Sequence, residues 1–140
     1  MKEDYINVLM IKPMEHPKQI VIPNNITTFN RLVGVDTYYP CRAEVIIIDR
    51  NIGIIRNPEG ALLDLKGNRK VNDEIIAGTF LIISFDEHGF IASLSEENIQ
   101  KYSDRFWNIE NFTDREVLMS HWNKFEDELN LMELEFLDIL

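Results

Sequence analysis

The chain has 140 residues, of which 45% are hydrophobic and 10% aromatic, so it is long and apolar enough to form one folded domain, and this composition excludes a disordered protein. It contains one cysteine, which excludes an internal disulfide and fits a reducing compartment. The net charge of −10 is uneven: residues 1–70 carry ten Lys or Arg against eight Asp or Glu, a balance of +2, and residues 71–140 carry four against sixteen, a balance of −12.

This charge distribution bears on the partners of the protein. The acidic second half repels the phosphate backbone of nucleic acid, so we expect no direct contact with nucleic acid and an attraction to a basic protein surface. The first residues lack the basic and apolar segments of a secretory signal. The longest aliphatic run, Val45–Ile48, is far shorter than the roughly 20 residues of a membrane helix. We therefore expect a cytoplasmic protein without membrane contact.

The N-terminal third combines two short strands with one helix. Ile6–Lys12 alternates between apolar and polar residues, and Gln19–Ile22 is a second apolar segment between prolines. A brief helix follows, capped by Thr27 or Thr28 and ending at Val33 before a glycine.

The centre of the chain predicts antiparallel strands. Glu44–Asp49 and Ile52–Arg56 are rich in β-branched residues, and Arg50-Asn51 between them predicts a hairpin turn. Gly78–Phe85 is a strong strand, and Phe90–Ser93 is its predicted hairpin partner. Successive strands without long intervening helices predict an antiparallel meander.

The last third is predicted to be helical. Ser95 has the position of an N-cap for a helix that runs to about Phe106, and Thr113 and Glu116 have the spacing of a capping box. In the helix that follows, apolar residues recur every three or four positions and form a stripe that predicts burial: Leu118, Trp122, Phe125, Leu129, Met132 and Phe136.

These elements predict an α+β fold. We expect a mostly antiparallel sheet of five or six strands, a short N-terminal helix, and two or more C-terminal helices. The expected organisation is a domain over residues 1–107 and a helical extension over residues 108–140, which either packs on the domain or lies at an interface.

A set of short motifs between residues 57 and 106 carries a resemblance to a known family. The motifs are Asn57-Pro58-Glu59-Gly60, Asn68-Arg69, Ile76-Ala77-Gly78-Thr79-Phe80, Ser93-Leu94, Tyr102 and Phe106. With them, residues 6–107 resemble a small uncharacterised domain family of bacteriophages, plasmids and conjugative elements. The resemblance implies a role in conflict between mobile elements and their hosts, and it implies no catalytic residues.

The segment Asn68-Arg69-Lys70, which is predicted to be a polar, basic loop, is the candidate binding site for a small anion. Arg and Lys with a neighbouring amide suit a carboxylate, a phosphate or a nucleotide. In the structural alternative, Asn68 caps a turn and Arg69 pairs with Asp64 or Asp73.

The C-terminal segment is the candidate site for a protein partner. Residues 126–140 contain six acidic residues and no basic residue, interleaved with apolar ones. The candidate partner-binding residues are Glu126, Asp127, Glu133, Glu135 and Asp138. The apolar face either packs on the domain or meets another chain, including a second copy in a homodimer.

The leading hypothesis is an accessory protein of a phage or mobile element that binds and inhibits a host defence protein through its acidic surface. Such a surface can imitate the phosphates of DNA, as acidic inhibitors of restriction and CRISPR systems do. The alternative is a module that binds an anionic small molecule, such as a nucleotide signal, on the Asn68-Arg69-Lys70 segment. No nucleophile elbow, phosphate loop or metal-ligand spacing occurs in the sequence, so we expect no enzyme activity, no cofactor and no metal.

Overall fold

The computed structural model of the protein describes residues 3–35 and 42–139, with side chains described through Asn130. Within this part the strands are β1 (Tyr5–Ile11), β2 (Lys18–Pro23), β3 (Glu44–Asp49), β4 (Ile52–Arg56), β5 (Gly67–Val71), β6 (Glu74–Ala77), β7 (Phe80–Phe85) and β8 (Ile91–Ala92). The helices are α1 (Ile26–Leu32), α2 (Glu96–Arg105) and α3 (Asp114–Ile139). The predicted α+β class is confirmed, with one early helix and two C-terminal helices.

Six strands form one antiparallel sheet, as predicted. Five of them lie in the order β2-β1-β7-β4-β3, and β8 pairs with β7. The central strand β7 places Ile82 opposite Leu9 of β1 and opposite Ile54 of β4. Ile82 is fully buried, so the middle of the sheet is also the middle of the core.

Both faces of the sheet are covered, because its strands carry apolar residues on both sides. One face packs against α2 and the β5–β6 hairpin, through the buried residues Leu94, Tyr102, Phe106, Val71 and Ile76. The other face packs against α1, through Phe29 and Val33. Among the helices of the described residues, none combines the length and apolar content needed to cross a bilayer.

The capping predictions are confirmed for two helices and wrong for one. Ser95 accepts a hydrogen bond from Asn98 N at 3.2 Å at the start of α2. The N-cap of α1 is Asn25, whose side chain accepts from Thr28 N at 2.8 Å. Because α1 already begins at Ile26, the threonines predicted to cap it lie inside its first turn.

The segment predicted to be a basic loop is a strand. Gly67–Val71 pairs with Glu74–Ala77 in a two-stranded hairpin. Asn72 and Asp73 form the turn with positive φ angles of 49° and 68°, a conformation that Asn and Asp tolerate better than other side chains. The sequence does not predict this strand because Gly, Asn and Lys, which make up three of its five residues, are depleted in strands.

Candidate functional site

Asn68 and Arg69 are fully buried and hold separate parts of the domain together. The Arg69 guanidinium donates from Nε to Phe106 O at 3.1 Å, from one terminal nitrogen to Asn68 Oδ1 at 2.8 Å, and from the other to Glu15 O at 2.7 Å. Asn68 Nδ2 in turn donates to Ile11 O and Gly78 O, both at 2.9 Å. These contacts join β5 to the end of β1, to the β1–β2 turn, to the residue that follows α2 and to the loop between β6 and β7.

The Arg69 side chain is shielded from solvent and surrounded by carbonyl oxygens. Burial lowers the pKa of the Arg69 guanidinium, and the negative charge of Glu110 partly opposes this shift. Neither Asp64 nor Asp73 accepts one of the hydrogen bonds described above, so the expected pairing with those carboxylates is not the observed arrangement. An anionic ligand meets no exposed guanidinium here, and only the neighbouring Lys70 is exposed.

Three other residues of the motifs that carry the resemblance also have identifiable roles in the fold. Asn57 is buried, accepts from Glu59 N at 3.0 Å and donates to Gly34 O at 3.2 Å, which fixes the turn after β4. Gly78 has φ +83°, and a Cβ there would lie 2.8 Å from Leu65 Cδ1. Phe80 is fully buried, which confirms its predicted place in the core. These three motif residues therefore have places in the fold that account for them without a ligand.

The first turns of α3 are anchored to the β5–β6 hairpin. The predicted capping box is confirmed: Glu116 N donates to Thr113 Oγ1 at 3.1 Å, and Thr113 N donates to Glu116 Oε1 at 3.0 Å. The backbone hydrogen bond from Thr113 holds the pKa of the Glu116 carboxyl below its usual value. Val117 is buried against Gly67, where an added Cβ would lie 2.7 Å from Val117 Cγ2.

The contact with the hairpin continues along one side of α3. Ser120 Oγ accepts from Ile75 N at 2.9 Å, and Lys124 Nζ lies 3.7 Å from Glu74 Oε1. Together with Val117, these positions are spaced by three and four residues, so they form one line on the helix. This line is the side of α3 that faces the domain.

The apolar stripe of α3 lies on a different side. At 100° per residue, its centre is roughly 140° around the helix from the line that contacts the hairpin. Leu118 is 36% exposed, Trp122 48%, Phe125 47% and Leu129 42%. Burial within the domain, one of the two alternatives for the apolar face of this helix, is not observed for these four residues. The reason is that α3 touches the domain through Val117, Ser120 and Lys124.

The stripe is held together by its own aromatic residues. The rings of Trp122 and Phe125 meet edge to face, with centroids 5.9 Å apart, and His121 makes a similar contact with Trp122 at 5.7 Å. Aromatic pairs of this geometry prefer each other to water. They still leave about half of each large ring exposed to solvent.

The predicted partner-binding carboxylates that the structure describes are on the surface. Glu126 and Asp127 are exposed on α3, as is the adjacent Glu128. The side chains of Glu133, Glu135 and Asp138 lie outside the described residues. The surface formed by the exposed stripe from Leu118 onward, with Glu126 and Glu128 on its two sides, is called here the α3 surface. Asp127 lies roughly 170° around the helix from the centre of the stripe and lines the groove between α3 and the β5–β6 hairpin.

An open groove of about 510 Å³ lies between α3 and the β5–β6 hairpin. Its walls include Lys70 and Glu74 from the hairpin and Lys124 and Asp127 from α3. Charges of both signs line it, and Lys124 already pairs with Glu74 across it. The groove is therefore polar, and it lies beside the α3 surface.

Comparison with known proteins identifies a family. The family described as a domain of unknown function (DUF3846) matches residues 6–107. No curated protein and no solved structure matches the chain. The matched range ends before α3 begins at Asp114, so the α3 surface lies outside it.

Proposed function

We propose that the protein, which belongs to the DUF3846 family of domains of unknown function, acts by binding another protein and not by catalysing a reaction. In this proposal the partner has a basic surface that meets the α3 surface. One observation carries the proposal: Trp122, Phe125 and Leu129 are 42–48% exposed on a helix that also exposes Glu126 and Asp127.

The chemistry of the α3 surface suits a protein partner. Contiguous apolar groups exposed on a protein mark interaction surfaces, and Trp is enriched among the residues that dominate binding energy. The charge balance of −12 in residues 71–140 repels nucleic acid and attracts Lys and Arg. A protein that exposes both apolar and basic residues can therefore contact both kinds of group on the α3 surface.

The specific form of the proposal is a cytoplasmic accessory protein of a phage or mobile element that inhibits a host defence protein, of the antirestriction or anti-CRISPR type. Enzymes that bind nucleic acid hold its phosphates with Lys and Arg. A helix with successive carboxylates can occupy such a surface and exclude the nucleic acid. The resemblance of residues 6–107 to proteins of mobile elements supports this choice of partner.

Affinity capture from a host lysate, followed by mass spectrometry, tests the proposal. The bait is the full chain, compared with a variant in which four carboxylates of α3 are neutralised: Glu126→Gln, Asp127→Asn, Glu133→Gln and Glu135→Gln. We expect the wild type to retain a basic, nucleic-acid-binding protein and the variant to lose it. Raising the salt concentration from about 0.1 M to about 1 M should release the partner, because exposed charges are screened at that ionic strength.

A matched control keeps the number of removed charges constant. It neutralises four exposed glutamates on other parts of the domain: Glu59, Glu87, Glu96 and Glu97. We expect this control to capture the partner as well as the wild type does. Equal capture by the α3 variant and the wild type, at both salt concentrations, would contradict binding through the acidic surface.

A further inference from the structure

The apolar stripe of α3 has the spacing of a helix that pairs with another helix. Leu118, Trp122, Phe125 and Leu129 follow one another at steps of four, three and four residues. The sequence continues the same steps with Met132 and Phe136. This alternation is the a and d pattern of a heptad repeat, in which the two positions face a partner helix.

From residue 126 onward, the positions that flank this stripe are acidic on both sides. With Trp122 and Leu129 at a positions and Phe125 at a d position, Glu126 is an e position and Glu128 is a g position. Both side chains are exposed. Seven residues further along, the sequence has glutamate again at the corresponding positions, 133 and 135.

We propose that the α3 surface pairs with an amphipathic helix of its partner, and that this helix has an apolar stripe flanked on both sides by Lys or Arg. This inference rests on the proposed function and specifies the element of the partner that is bound. Charge complementarity at the e and g positions selects the partner, since opposite charges there set the choice of partner in paired helices.

A second copy of the chain fits the α3 surface poorly. In a parallel pair, Glu128 of each copy meets the glutamate at position 133 of the other, and in an antiparallel pair e positions meet e positions and g positions meet g positions. Each arrangement places like charges side by side, in a chain whose net charge is already −10. The occupant inferred here is therefore a different, basic chain.

The length of the stripe sets the size of the partner element. From Leu118 to Phe136 the helix advances by about 27 Å at 1.5 Å per residue. A partner helix of about five turns, or nearly three heptads, covers that distance.

A set of three synthetic peptides supplies the probe. The first has three heptads with Leu at a and d and Lys at e and g. The second keeps the lysines but has Ser at a and d, and the third keeps the leucines but has Glu at e and g. We expect saturable binding of the first peptide, at least about tenfold tighter than that of either other peptide.

Tryptophan fluorescence reports the contact directly. The chain has two tryptophans, so in the variant Trp107→Phe the emission comes from Trp122 alone. Trp122 is half exposed, and we expect its emission to shift to shorter wavelength as the first peptide covers it.

Substitutions in the same background separate the stripe from the rest of the helix. Phe125→Ser and Leu129→Ser should weaken binding of the first peptide by at least about tenfold, since each removes an apolar contact worth roughly 1.4 kcal/mol or more. Asn123→Ser is the matched control, because Asn123 is exposed on α3 at a b position, away from the stripe and from the e and g positions. It should change the affinity by less than about twofold.

Two outcomes would overturn the helix-pairing inference, and neither depends on capture from the lysate through the four carboxylates. One is equal binding of both lysine peptides, which would show that charge alone is recognised. The other is a dimer of the wild type in sedimentation that Phe125→Ser dissociates, which would assign the stripe to a second copy. Failure of the proposed function is seen separately, as capture from the lysate that does not depend on the four carboxylates.

Discussion

The helices α2 and α3 belong to one chain and are both amphipathic, yet their apolar sides have different surroundings. Tyr102 and Phe106, in and directly after α2, are buried against the sheet. In α3, Trp122 and Phe125 recur at the same kind of spacing and remain about half exposed. Helical periodicity therefore identifies which side of a helix is apolar, and the position of the helix on the domain decides whether that side is core or surface.

The two regions also differ in how charge is used. In the domain, Arg69 is buried and its donors meet carbonyl and amide oxygens. On α3, Glu126 and Asp127 are exposed to water. Charge in the first region stabilises the fold, whereas charge in the second is available to a partner.

The largest expected effect is that of removing the buried guanidinium. Arg69→Ala leaves Phe106 O, Glu15 O and Asn68 Oδ1 without the donors that they now have, and we expect a loss of about 3 kcal/mol or more in the free energy of unfolding. Urea denaturation measures the loss as a lower midpoint. The neighbouring exposed residue supplies the control: Lys70→Ala should cost less than about 0.5 kcal/mol. Equal costs for the two variants would remove the contrast between buried and exposed charge.

An intermediate effect on stability is expected at the N-terminus of α3. Thr113→Ala removes the hydroxyl that accepts from Glu116 N, and loss of such a cap costs about 1 kcal/mol. Thermal unfolding at neutral pH measures this cost against the wild type. A conservative Thr113→Ser should restore most of the stability, and a failure of Ser to do so would argue against the cap.

The capping box of Thr113 and Glu116 also predicts that folding stability depends on pH. Because the folded state lowers the pKa of Glu116, its carboxylate contributes stability above the pKa of the unfolded chain, and this contribution is lost as the pH falls through the folded pKa. The difference between wild type and Thr113→Ala should therefore shrink in acid.

The smallest expected effect on stability is that of a substitution in the apolar stripe of α3. Leu129→Ala should change the free energy of unfolding of the isolated protein by less than about 0.5 kcal/mol, because Leu129 is 42% exposed. Leu81→Ala is the matched substitution in the core, where the side chain is fully buried, and it should cost about 2–5 kcal/mol. A cost for Leu129→Ala that approaches the cost at Leu81 would show that the stripe is packed within the chain.

Most of the fold follows from local patterns. The β-branched segments Glu44–Asp49 and Ile52–Arg56 were predicted with the bounds that the structure has, and the caps at Ser95 and Thr113 were predicted from their spacing. Each depends on residues close together in sequence, where propensity and capping act directly.

The candidate sites depend on contacts between distant residues, which local patterns do not report. Arg69 is fixed by Phe106 and Glu15, 37 and 54 residues away. The sequence alone does not distinguish this buried segment from an exposed anion-binding loop with the same residue types, and for that reason it predicts an anion site. The side of α3 that meets the domain is likewise set by Gly67 and Ile75, far from α3 in sequence, so the direction of its apolar stripe was not predicted.

The close contact between Gly67 and Val117 has a consequence for how such proteins can diversify. It holds the first turn of α3 against the hairpin, and a larger residue at position 67 would force Val117 or Phe112 to move. Further along the helix, we expect substitutions at exposed positions to leave folding stability almost unchanged, so selection for a stable fold does not restrict them. A lineage can therefore alter what its last helix recognises while it inherits the same scaffold.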